Sequence, residues 1–152
     1  MVTLEPATED EYEGFLELTR QETAAYLEAT MRLMKATWEE YGRWFRTVGQ
    51  VFTIRDGGDV AGFCWIEERG RVLHLHGLVL GKEHRGRGIG GRVLEMLEAR
   101  SAGRVDAIEL GVHVSNKDAI RLYERTGFRT VKTLDDLGFL IMQKRMAGRG
   151  NL

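Results

Sequence analysis

Between Leu78 and Gly91 the chain passes from an apolar run into a loop and then a helix, and Gly86, Gly88, Gly90 and Gly91 crowd into that short stretch. A turn that merely caps a helix needs one glycine. Several together permit positive φ and let successive backbone N–H groups converge on one anion, with the helix N-terminus adding favourable potential. Arg85 and Arg87 place positive charge beside those donors. The segment calls for a strand–loop–helix unit built around a phosphate, and so for a fold that mixes strands with helices.

The remaining composition narrows what surrounds that unit. A chain of 152 residues, 43% hydrophobic and 30% charged, suits one domain over residues 1–152 with a single core. Its net charge of -1 supplies no basic field for nucleic acid or an anionic membrane. Cys64 is the one cysteine, which rules out an intramolecular disulfide and a thiolate zinc cluster. The start lacks a basic and then apolar leader, and no apolar run approaches the roughly 20 residues of a membrane helix. A cytoplasmic protein is expected. Charge is nevertheless uneven: Glu9, Asp10, Glu11, Glu13, Glu17 and Glu22 face only Arg20 in the first helix, an arrangement that inclines toward a cationic substrate.

Periodicity predicts a short strand at Val2–Leu4, then Thr8 as the N-cap of a helix carrying Tyr12, Phe15, Leu16 and Leu18. A second helical region spans about 25–45, with Trp38, Tyr41 and Trp44 available to wall a pocket. Val51–Ile54 and Val60–Ile66 read as a hairpin turned at Asp56-Gly57. In the next strand, Arg71–Leu80, strict alternation puts His74, His76, Leu78 and Leu80 on one face and Leu73, Leu75 and Val79 on the other. Ile89, Val93 and Leu97 form the buried stripe of the helix after the glycines. A strand at Ala107–Val114 leads to Ser115-Asn-Lys-Asp118, read as a capping box, and to a helix closed by Gly127. Strands around Val131 and over Phe139–Met142 follow, the last apolar enough to pair across a homodimer edge. Residues 147–152 read as a flexible tail.

Asn116 and Tyr123 lie seven residues apart, on one face of that last helix. Arg85-x-x-Gly88-x-Gly90 before one helix, and Asn116-x-x-Ala119-x-x-Leu122-Tyr123-x-x-x-Gly127-Phe128 after the next strand, together resemble the Gcn5-related N-acetyltransferase (GNAT) family. The first pattern is similar to that family's Q/R-x-x-G-x-G/A pyrophosphate loop and the second to its N-x-x-A-x-x-L-Y-x-x-x-G-F signature. The motif resemblance covers Leu78 to Phe128, and the order of elements on either side is similar as well.

The resemblance implies an α/β fold of the acyl-CoA N-acyltransferase type, its mixed central sheet splayed between the fourth and fifth strands. It implies acetyl-CoA as cosubstrate, with backbone groups of Leu78, Val79 and Leu80 on the pantetheine arm. N–H groups from Arg85, Gly86, Arg87, Gly88, Ile89, Gly90 and Gly91 would hold the pyrophosphate, and Asn116 would support the cofactor side. Tyr123 would sit near the thioester sulfur as hydrogen-bond donor or acid to the departing thiolate. The acceptor would be an amine on a small molecule, an amino acid, an antibiotic or a peptide, attacking directly in a ternary complex. Its base is left open between His76 and His74, which rank equally as imidazoles just upstream of the splay. In this family a glutamate often stands nearby, at the position His74 takes here, and water chains can do the same work. His113 approaches from the neighbouring strand.

Rival readings are weaker. Gly86-x-Gly88-x-x-Gly91 also fits a dinucleotide fingerprint with Glu109 as the ribose acid, but five residues from Gly81 to Arg85 separate the strand from the first glycine. The P-loop ending of Gly-Lys-Ser/Thr is missing. His74 and His76 have no third ligand at metal-site spacing, so no metal is expected. A module that holds acyl-CoA without turnover is the alternative from another functional class, and Tyr123 argues against it. Cys64, inside an apolar strand without a partner base, is not placed to carry an acyl group.

Overall fold

A computed structural model describes residues 1–146. Its strands are β1 (Val2–Pro6), β2 (Gln50–Asp56), β3 (Asp59–Arg69), β4 (Val72–Leu80), β5 (Ala107–His113), β6 (Arg129–Leu134) and β7 (Phe139–Arg145). They form one sheet in the order β1-β2-β3-β4-β5-β7-β6, antiparallel except for β4 and β5. The helices are α1 (Glu9–Glu22), α2 (Leu27–Met34), α3 (Trp38–Thr47), α4 (Ile89–Ser101) and α5 (Lys117–Arg125), with a 3-10 turn at Ala24–Tyr26 leading into α2. The expected mixed sheet with its parallel fourth and fifth strands is present.

Each sheet face buries a separate apolar cluster. Phe63, Trp65 and Val51 meet Phe15 and Leu16 of α1 and Tyr41 and Phe45 of α3 on one face. Leu73, Leu75, Ile108 and Leu110 meet Ile89, Val93, Leu94 and Leu97 of α4 on the other. Full burial of a side chain such as Phe45 or Leu97, each 1% exposed, contributes about 1.5–3 kcal/mol.

β4 does not keep one phase along its length. Trp65 of β3 is opposite Gly77 while the next residue, Ile66, is opposite Leu75, so His76 is the extra residue of a β-bulge. A bulge bends a strand and shifts its alternation by one. Leu78 and Leu80 therefore join Leu73 and Leu75 in the α4 cluster, whereas Val79 packs with Phe63 and Trp65 in the other. This corrects the strict alternation expected from sequence, in which Leu78 and Leu80 shared the histidine face. Beyond the bulge β4 also leaves β5: parallel pairing covers only Val72–Leu75 against Ala107–Leu110, and the strand ends diverge.

Other boundaries differ for local reasons. The helical region over 25–45 breaks at Lys35, whose φ of 53° ends α2, and Thr37 restarts the chain as N-cap of α3, accepting from Glu40 N–H at 3.1 Å. The β2–β3 hairpin turns at Gly57-Gly58, with φ of 62° and 99°, one residue later than the Asp56-Gly57 reading. β7 lies between β5 and β6, so the strand expected to offer a dimer edge is interior, and β6 takes the edge. The expected tail at 147–152 falls outside the described residues. Among the described residues no helix is long and apolar enough to cross a membrane.

Candidate active site

The divergence of β4 and β5 opens a cavity of about 310 Å³. His74, His76, Leu78 and Val79 of β4 line one side, Glu109 and His113 of β5 the other, and Asn116 and Tyr123 of α5 close one end. Thr19, Thr23, Tyr26, Thr30 and Met34, from α1, the 3-10 turn and α2, roof it. The sequence-derived candidates thus meet in one place, except for Leu80 and the loop from Arg85 to Gly91, which lie further along the exit from β4.

That loop has the geometry of an anion cradle, and its glycines divide the work. Gly86 and Gly88 take φ of 72° and 80°, which side-chain-bearing residues rarely adopt. The first bond of α4 runs from Arg92 N–H to Gly88 O, so the N–H groups of Ile89, Gly90 and Gly91 precede the intrahelical ladder. Gly90 answers a different demand: a Cβ there would come within 2.9 Å of Leu122 Cδ2 on α5. Arg87 is exposed, whereas Arg85 forms an ion pair with Glu22 at the end of α1. Much of the loop's unopposed side-chain charge thus rests with Arg87.

Asn116, not Ser115, caps α5. Its Oδ1 accepts from Ala119 N–H at 3.3 Å while its Nδ2 donates to the Tyr26 hydroxyl at 3.1 Å. Ser115 instead serves His113, whose Nδ1 accepts from Ser115 N–H at 3.2 Å. Because a backbone N–H can only donate, His113 carries its proton on Nε2 and has its basic nitrogen already occupied. Tyr26 lies flat on the His113 ring, with centroids 5.0 Å apart and planes 4° apart. Tyr123 is buried, and burial raises the pKa of its phenol, so it stays protonated.

The two β4 histidines each face a carboxylate. His76 Nε2 is 2.8 Å from Glu67 Oε1, and His74 Nδ1 is 3.4 Å from Glu109 Oε2. Glu109 also accepts from Gln143 Nε2 at 2.7 Å. Burial, with Arg69 and His76 adding repulsion against Glu109 and Glu67, holds His74 below its ordinary pKa. Its neutral form is therefore favoured at pH 7. Tyr41 lines the cavity as the sequence suggested, but Trp38 stacks on Tyr41 from behind, at 5.3 Å between centroids, and neither it nor Trp44 reaches the lining.

Tyr26, Glu67 and Gln143 escape sequence reading. Glu67 had a usable signal, because counting back from the turn at Gly70 sets it opposite His74. Tyr26 and Gln143 had none, since only the tertiary fold brings them here. The acidic face of α1 is not part of the cavity lining: Glu9 and Glu13 pair with Arg46, Glu11 with Arg55, Glu17 with Arg20 and Glu22 with Arg85. The acidic face therefore supplies no carboxylate to the lining itself. Cys64 is fully buried, its thiol pushed up to about 12 by burial, and so is no nucleophile. No group of three metal-ligating side chains occurs among the described residues.

Residues 12–128 match the model of the acetyltransferase (GNAT) family. The chain belongs to that family. It is 31% identical to an uncharacterized N-acetyltransferase of Methanocaldococcus jannaschii, over 95% of this chain and 67% of that one. It is 27% identical to a Bacillus subtilis subsp. natto protein named as a probable spermine N(1)-acetyltransferase, over 95% and 99% of the two chains. Two solved structures share the fold. The spermidine N-acetyltransferase of Vibrio cholerae, in complex with CoA and spermine, superposes with a TM-score of 0.73 at 16% identity over 96% of each chain. The PaiA N-acetyltransferase of Thermoplasma acidophilum, in complex with coenzyme A, also gives 0.73, at 19% identity over 95% and 99%.

Proposed function

We propose that this GNAT enzyme transfers the acetyl group of acetyl-CoA to a primary amine by direct attack in a ternary complex. The observation that carries the reading is one cavity bounded by the unpaired edge of β4, a buried phenol and two imidazoles, next to a loop of free N–H donors. The residues present fit the donor. Gly86 and Gly88 open the cradle, Ile89, Gly90 and Gly91 supply N–H groups, and Leu78, Val79 and Leu80 offer backbone beyond the last β5 partner.

Chemistry at the acceptor requires a neutral amine, and His76 or His74 takes the ammonium proton. Tyr123 acts on the leaving side. A phenol held neutral by burial is a poor acid but a permanent hydrogen-bond donor, so its first contribution is to stabilise charge growing on sulfur. The proton finally left on the thiol comes from the attacking nitrogen, relayed through that hydroxyl.

Among the described residues Glu109 is the single carboxylate in the cavity lining, which it shares with threonines, tyrosines, Met34 and Ile141. A lining of that kind suits an amine on an apolar small molecule or short peptide better than a polycation. Calorimetric titration with acetyl-CoA, CoA and NAD, followed by thiol release over a panel of amines, tests both parts. Micromolar acetyl-CoA binding without NAD binding, and monoamines turned over faster than spermidine, are the expected results. Absence of acetyl-CoA binding would overturn the donor assignment, and preference for spermidine would overturn the acceptor class.

A further inference from the structure

The two histidine–carboxylate pairs beside the cavity are not equivalent. Glu67 approaches His76 Nε2 at 2.8 Å, within ordinary hydrogen-bond range, and the pair is part-buried. Glu109 stands 3.4 Å from His74 Nδ1 and spends its other oxygen on Gln143. The His76 ring also lies against Trp65, at 4.9 Å between centroids, and Trp65 is itself anchored by its indole N–H to Val48 O at 2.7 Å. Glu67 is the register partner of His74, yet its carboxylate meets the extra residue.

We propose that Glu67 is a positioning residue that selects His76 as the general base: it accepts the Nε2–H of the neutral ring, leaves Nδ1 as the basic nitrogen, and stabilises the imidazolium that forms there. This rests on the acetyltransferase reading above. The charged and titratable groups around His76 are Glu67 and Arg69 on β3, His74 on β4 and Glu109 on β5, with Tyr41 of α3 facing the same cavity. Arg69 Nε approaches Glu67 Oε1 only at 3.5 Å, so the carboxylate keeps its closer bond to the ring. Tyr41 stays neutral, its phenol pushed up to about 12 by burial. His74 and His76 are nearly parallel at 6.1 Å, so charging one opposes charging the other. His74 is the ring that burial keeps neutral.

Protons balance through the pair. His76 Nδ1 takes one proton from the ammonium, the neutral nitrogen forms the C–N bond, and the C–S bond breaks with its electron pair on sulfur. A second proton from that nitrogen reaches the thiolate. His76 Nδ1 then returns its proton to water, its side chain being 22% exposed, and the Nε2–H stays hydrogen-bonded to Glu67.

The test is the pH dependence of acceptor kcat/KM at saturating acetyl-CoA for wild type, Glu67→Gln, Glu67→Asp, His76→Gln, His74→Gln and the Glu67→Gln/His76→Gln pair. Glu67→Gln is expected to lower kcat about ten- to hundredfold and to move the acidic limb to lower pH, with Glu67→Asp recovering part of the rate. In the His76→Gln background it adds nothing, and acetyl-CoA affinity is unchanged throughout. An unmoved limb, a limb that disappears in His74→Gln instead, or multiplicative effects in the double variant would overturn the proposal. NMR titration of the His76 ring separates the two readings, because it needs no turnover. A midpoint moved to lower pH by Glu67→Gln in a protein that acetylates nothing sustains the pairing and sinks the enzyme reading; an unmoved midpoint in an active enzyme sinks the pairing alone.

Discussion

The two walls of the cleft are built on different principles. The wall from Leu78 to Gly91 consists of backbone presented in set conformations: an open strand edge, two glycines at positive φ and a helix start. The opposite wall consists of side chains drawn from β3, β4, β5 and the roof of α1 and α2, held by contacts such as Asn116 to Tyr26 and Glu67 to His76. Backbone conformation is enforced by residues close in sequence and leaves a motif. Side-chain assembly is enforced by tertiary contact and leaves none.

Tyr123 stands where the walls meet and offers the sharpest division between them. Tyr123→Phe should lower kcat about a hundredfold while acetyl-CoA affinity by calorimetry stays at the wild-type value. A parallel loss of cofactor affinity would show that the phenol belongs to the backbone wall after all. The next effect concerns stability. Gly90→Ala sets a Cβ within 2.9 Å of Leu122 Cδ2, the end of a flexible side chain that can turn aside, while alanine recovers about 1 kcal/mol of helix propensity, so stability in urea should change by no more than about 1 kcal/mol with acetyl-CoA binding retained. A loss of about 2 kcal/mol or more would mean that α4 and α5 have no slack between them. Smallest is Tyr26→Phe, which removes the bond to Asn116 and should raise the acceptor KM by about fivefold, the order of one lost hydrogen bond, with acetyl-CoA binding unaltered. A rise confined to acetyl-CoA instead would reassign Tyr26 to the donor wall.

What the sequence made legible follows the same division. The glycine loop, the Asn116–Tyr123 face and the helix after the loop rest on local pattern, and the parallel strand pair is implied by the family resemblance those patterns carry. The bulge at His76 does not, because alternation through His74, Leu75 and His76 reads identically with or without it; only the packing of Leu78 in the same cluster as Leu73 and Leu75, with Val79 in the other, reveals the shift. Asn116 and Ser115 are both good caps, and the choice between them is made by His113 occupying Ser115. The interior place of β7 is a matter of strand order, which no property of Phe139–Met142 encodes.

Among the described residues the ladder joining the half of the sheet containing β1–β4 to the half containing β5, β7 and β6 has four rungs, Val72–Leu75 against Ala107–Leu110, with one further backbone bond from Asp106 N–H to Arg71 O at 2.7 Å. That narrow strip carries the sheet across the cleft. An extended ligand lying along the open edge of β4 extends that strip with hydrogen bonds the polypeptide itself lacks. Such a ligand becomes part of the scaffold, so occupancy of the site and rigidity of the whole sheet rise together.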